Sequence, residues 1–193
     1  MRKPIRNIFV TILLFLGLSL SFVGTAQALY SLHTVTWGSW ILYSQQSDNW
    51  CWAASSKMMI QKAKGTSPSE CEIVKRQKNT SSCLDSTATV SEVSAIMNRY
   101  NVSSSQHAGV PSFSHIRSNT TNGGGVNVRV AWNSGGSIGH FAPVIGSTSN
   151  NMVYITHIRT NGVSASWVNY SQFAAGTAGL GALYTPTDWI TSY

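Results

Sequence analysis

The hydrophobic pattern changes its period once along the chain, at the triplet Gly123-Gly124-Gly125. Before this point apolar residues recur at helical spacing, as they do over residues 90–100. After it, every second residue of the stretch 126–132 is apolar, which is the period of a strand. An order in which helices come first and antiparallel strands follow predicts an α+β fold with a single core.

Capping and turn signals predict the individual elements. Asp48 or Asn49 would cap a helix over about residues 50–64, which Gly65 would end. Two Ser/Thr-x-x-Glu boxes, at Ser69 and Thr89, predict helices to about residues 78 and 100. The other expected elements are a fourth helix over about 112–119, strands over 140–146, 152–158, 165–168 and 182–184, and an extended segment over 29–44.

The N-terminal segment, residues 1–28, has the pattern of a secretory signal. A basic start is followed by an apolar stretch over 8–23 and by the small-x-small site Ala26-Gln27-Ala28. We expect cleavage after Ala28, with a cut two residues earlier as the alternative, so that residues 29–193 form one domain. The protein is therefore expected to be secreted, either extracellular or periplasmic, with no stable membrane anchor after cleavage.

The charge of the remaining chain is modest. Of the 13 Lys and Arg residues three leave with the signal, so ten basic residues remain against 6 Asp and Glu, a net charge of +4. Without a dense basic run this favours a solvated surface, and no nucleic-acid partner is expected. Neither a Cys-x2-Cys nor a His-x3-His spacing occurs, so no metal or other cofactor is expected.

The chain has three cysteines, so at least one has no partner within the molecule. Cys71 and Cys83 are close in sequence and are expected to form a disulfide, which export would allow. Closing so short a loop contributes roughly 3 kcal/mol in the chain-entropy model. A bond from Cys51 to either of the others is the alternative, and it would remove the thiol from chemistry.

Cys51 stands between two tryptophans in the run QQSDNWCWAA, which begins at Gln45. In the first turn of the expected helix, unpaired N–H groups and the helix dipole favour an anion, so a lowered thiol pKa is expected. The step Gly139-His140-Phe141 follows in the strand-rich half. A cysteine at a helix N-terminus, a distant histidine and an upstream amide are the parts of a thiol hydrolase, although a buried, inert cysteine is the alternative.

These residues resemble those of papain-like cysteine peptidases, most closely the compact bacterial branch of effector-type proteases and bacteriocin-processing peptidases. The likeness extends over roughly residues 35–185, and glutamine, cysteine and histidine follow one another in the family's order. It implies a helical lobe with the cysteine, a sheet lobe with the histidine and a cleft between them. By this resemblance Cys51 would be the nucleophile, His140 the base and Gln45 the oxyanion donor.

The third residue of the family, an Asp or Asn near the end of the strand after the histidine strand, has no clear counterpart here. That strand reads VYITHI over 153–158, and a turn near residue 149 would set His140 opposite residues 157–158. His157 is the preferred candidate for a Cys-His-His arrangement. Thr156, Asn161 and a Cys-His pair without a third residue remain open.

The sequence thus predicts a secreted endopeptidase that hydrolyses protein or peptide substrates through a thioacyl-enzyme. A cell-wall peptidase of the Cys-His-His type is one alternative, and a catalytically degenerate papain-like binding protein is the other. A dedicated inhibitor would be a second kind of partner.

Overall fold

The structure, a computed structural model, describes residues 40–132, 138–176 and 184–192, all within the compact unit Val35–Tyr193. The expected signal segment, most of the expected extended segment and the Gly-rich loop before Ile138 lie outside these residues. The described part has five helices and one six-stranded antiparallel sheet, which confirms the α+β fold class. No helix in this part is long and apolar enough to cross a membrane.

The elements are named in chain order. The helices are α1 (Cys51–Lys64), α2 (Glu70–Lys78), α3 (Val90–Arg99), α4 (Phe113–Thr121) and α5 (Tyr170–Ala174). The strands are β1 (Ser104–Ala108), β2 (Val126–Trp132), β3 (Ile138–Ser147), β4 (Met152–Arg159), β5 (Gly162–Asn169) and β6 (Tyr184–Ser192). The order across the sheet is β1-β6-β2-β3-β4-β5, so β2 and β3 are central.

The capping signals predicted the helix boundaries well. Ser69 and Thr89 each accept a hydrogen bond from the N–H group three residues later, and the side chains of Glu72 and Glu92 return to the cap N–H groups. Gly65 ends α1 in the left-handed conformation, with φ of 69°, which a residue with a side chain rarely adopts. These boundaries are confirmed.

The side-chain cap predicted for α1 is wrong. Trp50 occupies the N-cap position, and no side chain caps the helix. Asp48 instead accepts a hydrogen bond at 3.0 Å from a threonine of the β4–β5 turn. Asn49 donates to the carboxylate of Asp85 through its backbone and its side chain. The N–H groups at the start of α1 are thus left to the thiol of Cys51.

The strand predictions need three corrections. No strand forms over residues 40–44, the described end of the expected extended segment. The last strand continues to Ser192 and pairs with both β1 and β2, whereas a short strand ending at 184 was expected. Neither β1 nor α5 was predicted. The β1 segment reads SSQHA, and four of its five residues are exposed, so it lacks the apolar alternation of a half-buried strand.

The sheet is covered on both of its faces. Helices α1 to α3 pack on one face, and α4 and α5 pack on the other. The valines of β2 belong to the cluster beneath α4. Asn127, a fully buried polar residue of the same strand, donates to Ser55 Oγ of α1 at 3.1 Å. The polar side of β2, which the alternating pattern would assign to solvent, therefore faces the helix of Cys51.

The disulfide expected from sequence proximity is present. Cys71 and Cys83 are bonded, with their Cα atoms 5.1 Å apart, and Cys51 is not in a disulfide. The bond fastens α2 to the segment that leads into α3.

We expect Ser69→Ala to lower the free energy of unfolding by about 1 kcal/mol, because the N–H group of Glu72 loses its acceptor. Urea unfolding of the purified protein measures the change. Ser81→Ala is the matched control, since Ser81 is exposed and its hydroxyl has no partner among the described residues. Equal losses in the two variants would contradict the role given to the cap.

Candidate active site

Cys51 stands at the first residue of α1, where the helix abuts the sheet, and it is only 8% exposed. Burial raises the pKa of its thiol above the ordinary value. The nearby backbone N–H groups of Phe141, Trp52 and Cys51 itself oppose that rise but do not cancel it. The lowered pKa expected from the helix position is therefore wrong for the resting thiol.

His140 lies on β3, close to this thiol. The backbone N–H group of Phe141, the residue after His140, is close enough to the Cys51 sulfur to lower the pKa of the thiol. Cys51 and His140 also line the same cavity. Burial, and then the charges of His157 and Arg159, lower the pKa of His140 to about 4. The imidazole is therefore neutral at neutral pH, which is the form that accepts a proton.

The cavity that these two residues line has a volume of about 730 Å³. Its helical wall comes from the start of α1, the end of α2 and residues 87–90 at the start of α3. Its sheet wall comes from β2, β3 and β6. A concave space of this volume, with a thiol and a neutral imidazole in its wall, is of a size that accepts a small ligand or part of a larger one.

His157, on β4, is close enough to His140 for its charge to lower the pKa of His140. Burial and the charge of Arg159 lower the pKa of His157 as well. Its Nε2 atom makes a hydrogen bond of 2.7 Å with Ser166 Oγ on β5. His157 is thus a half-buried ring fixed on one side by a hydroxyl and near His140 on the other.

The two other candidates for the orienting position are engaged elsewhere or exposed. Thr156 is buried, and its hydroxyl donates to the carbonyl of Pro143 at 3.0 Å. Asn161 is exposed in the turn between β4 and β5. Of the three candidates, His157 is the one whose charge acts on His140.

The pairing of β3 with β4 differs from the hairpin expectation by one residue. A bulge just after Val144 shifts the register, and Val144 pairs with Ile155. The pairs between these two strands end at Val144, so the expected position of His140 opposite residues 157–158 stays a prediction.

Gln45 is buried and fixes the loop in front of α1. Its Nε2 atom donates to the carbonyl oxygens of Ser47 at 2.9 Å and Asp48 at 2.7 Å, which uses both amide hydrogens. Its backbone N–H group donates to the carbonyl of Arg159 at 3.2 Å, which ties the loop to the end of β4. Because Gln45 is not among the described residues that line the cavity, its expected oxyanion role stays a prediction.

The segment that follows the disulfide binds the residues on both sides of Cys51. The indole N–H of Trp50 donates to the carbonyl of Leu84 at 2.8 Å, and that of Trp52 donates to the carbonyl of Ser86 at 2.8 Å. The next residues of this segment form part of the cavity wall. Since Cys83 is bonded to α2, the disulfide and the two indoles together fix this wall.

Sequence reasoning missed an ion pair in the sheet wall. Arg129 on β2 and Asp188 on β6 are opposite each other across the strands, with Nη1 and Oδ2 3.4 Å apart. Arg129 also fills the space beside Gly139, where a Cβ atom would lie 2.5 Å from its Nε. The glycine before His140 thus makes room for an arginine. A signal was available, because Arg129 interrupts the valines of a central strand.

Comparison with known proteins assigns the chain to no family. No family model matches the sequence, and no curated protein matches it either. The likeness to papain-like peptidases therefore rests on the sequence around Cys51 and His140.

We expect the protein to lose stability as the pH falls from about 6.5 to about 4. His140 has a pKa of about 4 when folded, against about 6.5 in an unfolded chain. Between these values the unfolded chain binds a proton that the folded chain excludes, so stability rises with pH. Between pH 7 and pH 4 the free energy of unfolding, measured with urea, should fall by about 3 kcal/mol more for the wild type than for His140→Gln. Equal losses would contradict this burial of a neutral imidazole.

We expect removal of the disulfide in Cys71→Ser/Cys83→Ser to loosen the cavity wall as well as the whole fold. The free energy of unfolding should fall by about 3 kcal/mol. Under native conditions, hydrogen exchange of the amides over 84–88 should accelerate more than that of the amides of β3. If both regions accelerate by the same factor, the disulfide stabilises the protein globally without a specific effect on this wall.

Proposed function

We propose that this protein is a cysteine peptidase with a papain-like fold, in which Cys51 is the nucleophile and His140 the base. The observation that supports this most directly is the cavity that Cys51 and His140 both line, where the backbone N–H group of Phe141 is close enough to the Cys51 sulfur to lower the pKa of the thiol. The order of helices before the sheet and the unpaired state of Cys51 support the same assignment.

The mechanism starts from two neutral groups, since burial disfavours a charge on the thiol alone and on the imidazole alone. As the sulfur attacks the scissile carbonyl, its proton passes to His140, and the carbonyl oxygen takes up the negative charge. The imidazolium then protonates the leaving amine, which departs and leaves a thioacyl-enzyme. Water, deprotonated by His140, hydrolyses the thioester and returns the thiol.

The oxyanion would form at the start of α1, where the N–H group of Cys51 is a natural donor. Gln45 would add a second donor only if its amide gave up its bond to Ser47 or Asp48. In the resting protein it serves the reaction by holding the loop that precedes the nucleophile. His157 would orient His140 from the next strand. Its closeness to that imidazole supports this role, although its charge lowers the pKa of His140.

Export of the protein is part of the proposal. The disulfide between Cys71 and Cys83 is typical of an oxidising compartment, and the N-terminal residues have the pattern of a secretory signal. The substrates would then be proteins or peptides outside the cytoplasm.

A cell-wall peptidase is the second candidate, and the position of His157 favours it. A Cys-His-His centre needs a second imidazole near the base, and His157 meets that condition through its charge interaction with His140. The two candidates share the nucleophile and the base and differ in the acyl group that they cleave.

Cys51→Ala and His140→Ala should each lower the hydrolysis of casein on the order of 10³-fold or more, because nucleophile and base act as a unit. His107→Gln is the matched control, since His107 is exposed on β1 and stacks on Trp189 away from the cavity. Turnover that survives the loss of the Cys51 sulfur would contradict the proposal.

Peptidoglycan zymography beside the casein assay separates the two substrates. Cleavage of peptidoglycan alone would replace the first candidate by the second. Absence of both activities, together with no alkylation of Cys51 at neutral pH, would leave a binding protein with a degenerate site.

A further inference from the structure

The cavity beside Cys51 concentrates the acidic residues of the chain. The whole sequence has 6 Asp and Glu and a net charge of +7. Half of these acidic residues, Asp48, Glu92 and Asp188, line this one cavity. Lys78 and Arg129 line the cavity too, so three carboxylates stand against two cations, and the resulting net charge of −1 favours a cationic group in a protein that is basic as a whole.

Two of the three carboxylates already have close partners. Glu92 forms an ion pair with Lys78, with 2.6 Å between Oε1 and Nζ, and also accepts the cap N–H group of Thr89. Asp48 accepts the hydroxyl of Thr160 at 3.0 Å in the exposed loop before α1. Neither is the natural receptor for a ligand charge within the cavity.

Asp188 is held much less firmly. Its Oδ2 is 3.4 Å from Arg129 Nη1, whereas charge-assisted hydrogen bonds are usually 2.7–2.9 Å long. Its other oxygen, Oδ1, has no hydrogen-bond partner among the described residues. The Asp188 side chain is 33% exposed, against 21% for Arg129, so the carboxylate is the more accessible member of the pair.

A bulge in β6 draws the arginine away from this carboxylate. The register between β2 and β6 shifts after Arg129, and Thr187 is the residue left out of the pairing. Arg129 Nη1 donates to the hydroxyl of Thr187 at 2.9 Å, a shorter contact than the one to Asp188. Bulges beside active sites commonly change the direction of a side chain. Here the guanidinium group of Arg129 lies next to Gly139 in the sheet wall.

The same cavity also has apolar surface. Phe141 and Trp52 line the same cavity beside the nucleophile, and Ala88 and Val90 line it on the helical side. The methylene stem of a lysine or arginine covers such surfaces while its charged end reaches a polar group. An acidic side chain is too short for this and would meet three carboxylates in the lining.

We propose that Asp188 makes this site selective for a substrate with a lysine or arginine side chain next to the scissile bond. The cationic end would bind the Asp188 carboxylate, and the stem would lie against Phe141 and Trp52. An arginine would offer two parallel N–H donors to the two carboxylate oxygens, a better contact than the long one from Arg129. The inference rests on the proposed peptidase function and adds the class of substrate.

Matched quenched peptides that differ in one residue, with Arg, Lys, Leu or Glu at each position in turn, test this inference. At one position the wild type should show a kcat/KM for Arg or Lys at least about 10-fold above that for Leu, and higher still relative to Glu. Asp188→Asn should lower this ratio about 10-fold. Glu72→Gln makes the same acid-to-amide change at an exposed residue outside the cavity lining, and it should leave the ratio unchanged.

Two further variants keep the inference testable if Asp188→Asn folds poorly. Arg129→Gln should raise the preference for basic residues, because it removes the one competing cation next to Asp188. Asp188→Arg should turn the preference toward Glu. Circular dichroism establishes that each variant is folded.

The inference on substrate class is overturned if the wild type cleaves peptides without a basic preference, or if Asp188→Asn keeps that preference. It is also overturned if the wild type prefers acidic residues and Arg129→Gln abolishes this, since recognition would then belong to Arg129. If no peptide is cleaved and Cys51 does not react with iodoacetamide, the peptidase function itself fails and the inference fails with it.

Discussion

The position of the Cys51 sulfur beside the backbone N–H group of Phe141 is the arrangement on which the site depends. It requires the first turn of α1 to abut β3, and several features hold it there. The buried carboxylate of Glu70 accepts the N–H group of Gln46 at 2.9 Å and steadies the loop before α1. On the other side of the helix, the indole hydrogen bonds of Trp50 and Trp52 and the disulfide hold the segment that follows Cys83. The loop, the helix and the wall are thus positioned by hydrogen bonds between buried side chains and the backbone and by the disulfide.

Burial decides the protonation states in this site. It raises the pKa of the Cys51 thiol and lowers that of His140, so neither group holds its charge alone. A charge becomes favourable only when the proton passes between them and both ions form together. In the proposed mechanism the Cys51 thiol would therefore stay uncharged until a substrate carbonyl is present. The position of Cys51 at the start of the helix suggested a lowered thiol pKa. The pKa is raised instead, because the effect of desolvation is larger than the opposite effect of the N–H groups near the sulfur.

Local signals predicted what local interactions determine. The capping boxes at Ser69 and Thr89 and the left-handed Gly65 set helix boundaries within a few residues, so the sequence was sufficient. Features that depend on distant partners were not predictable. The bulge in β3 shifts its register with β4 after Val144, β1 pairs with β6, and the carbonyls that bind Gln45 leave its amide engaged. The position of Asp188 in the cavity wall could not be predicted for the same reason, since it depends on the register between β2 and β6.

The pH dependence of Cys51 alkylation by iodoacetamide tests most directly whether thiol and imidazole act as one unit. If they do, the wild-type rate should rise near pH 4, where His140 loses its proton, and then stay level until the thiol itself ionises. His140→Gln should lose this plateau and react appreciably only at high pH. Superimposable profiles for the wild type and the variant would contradict the coupling and, with it, the assignment of nucleophile and base.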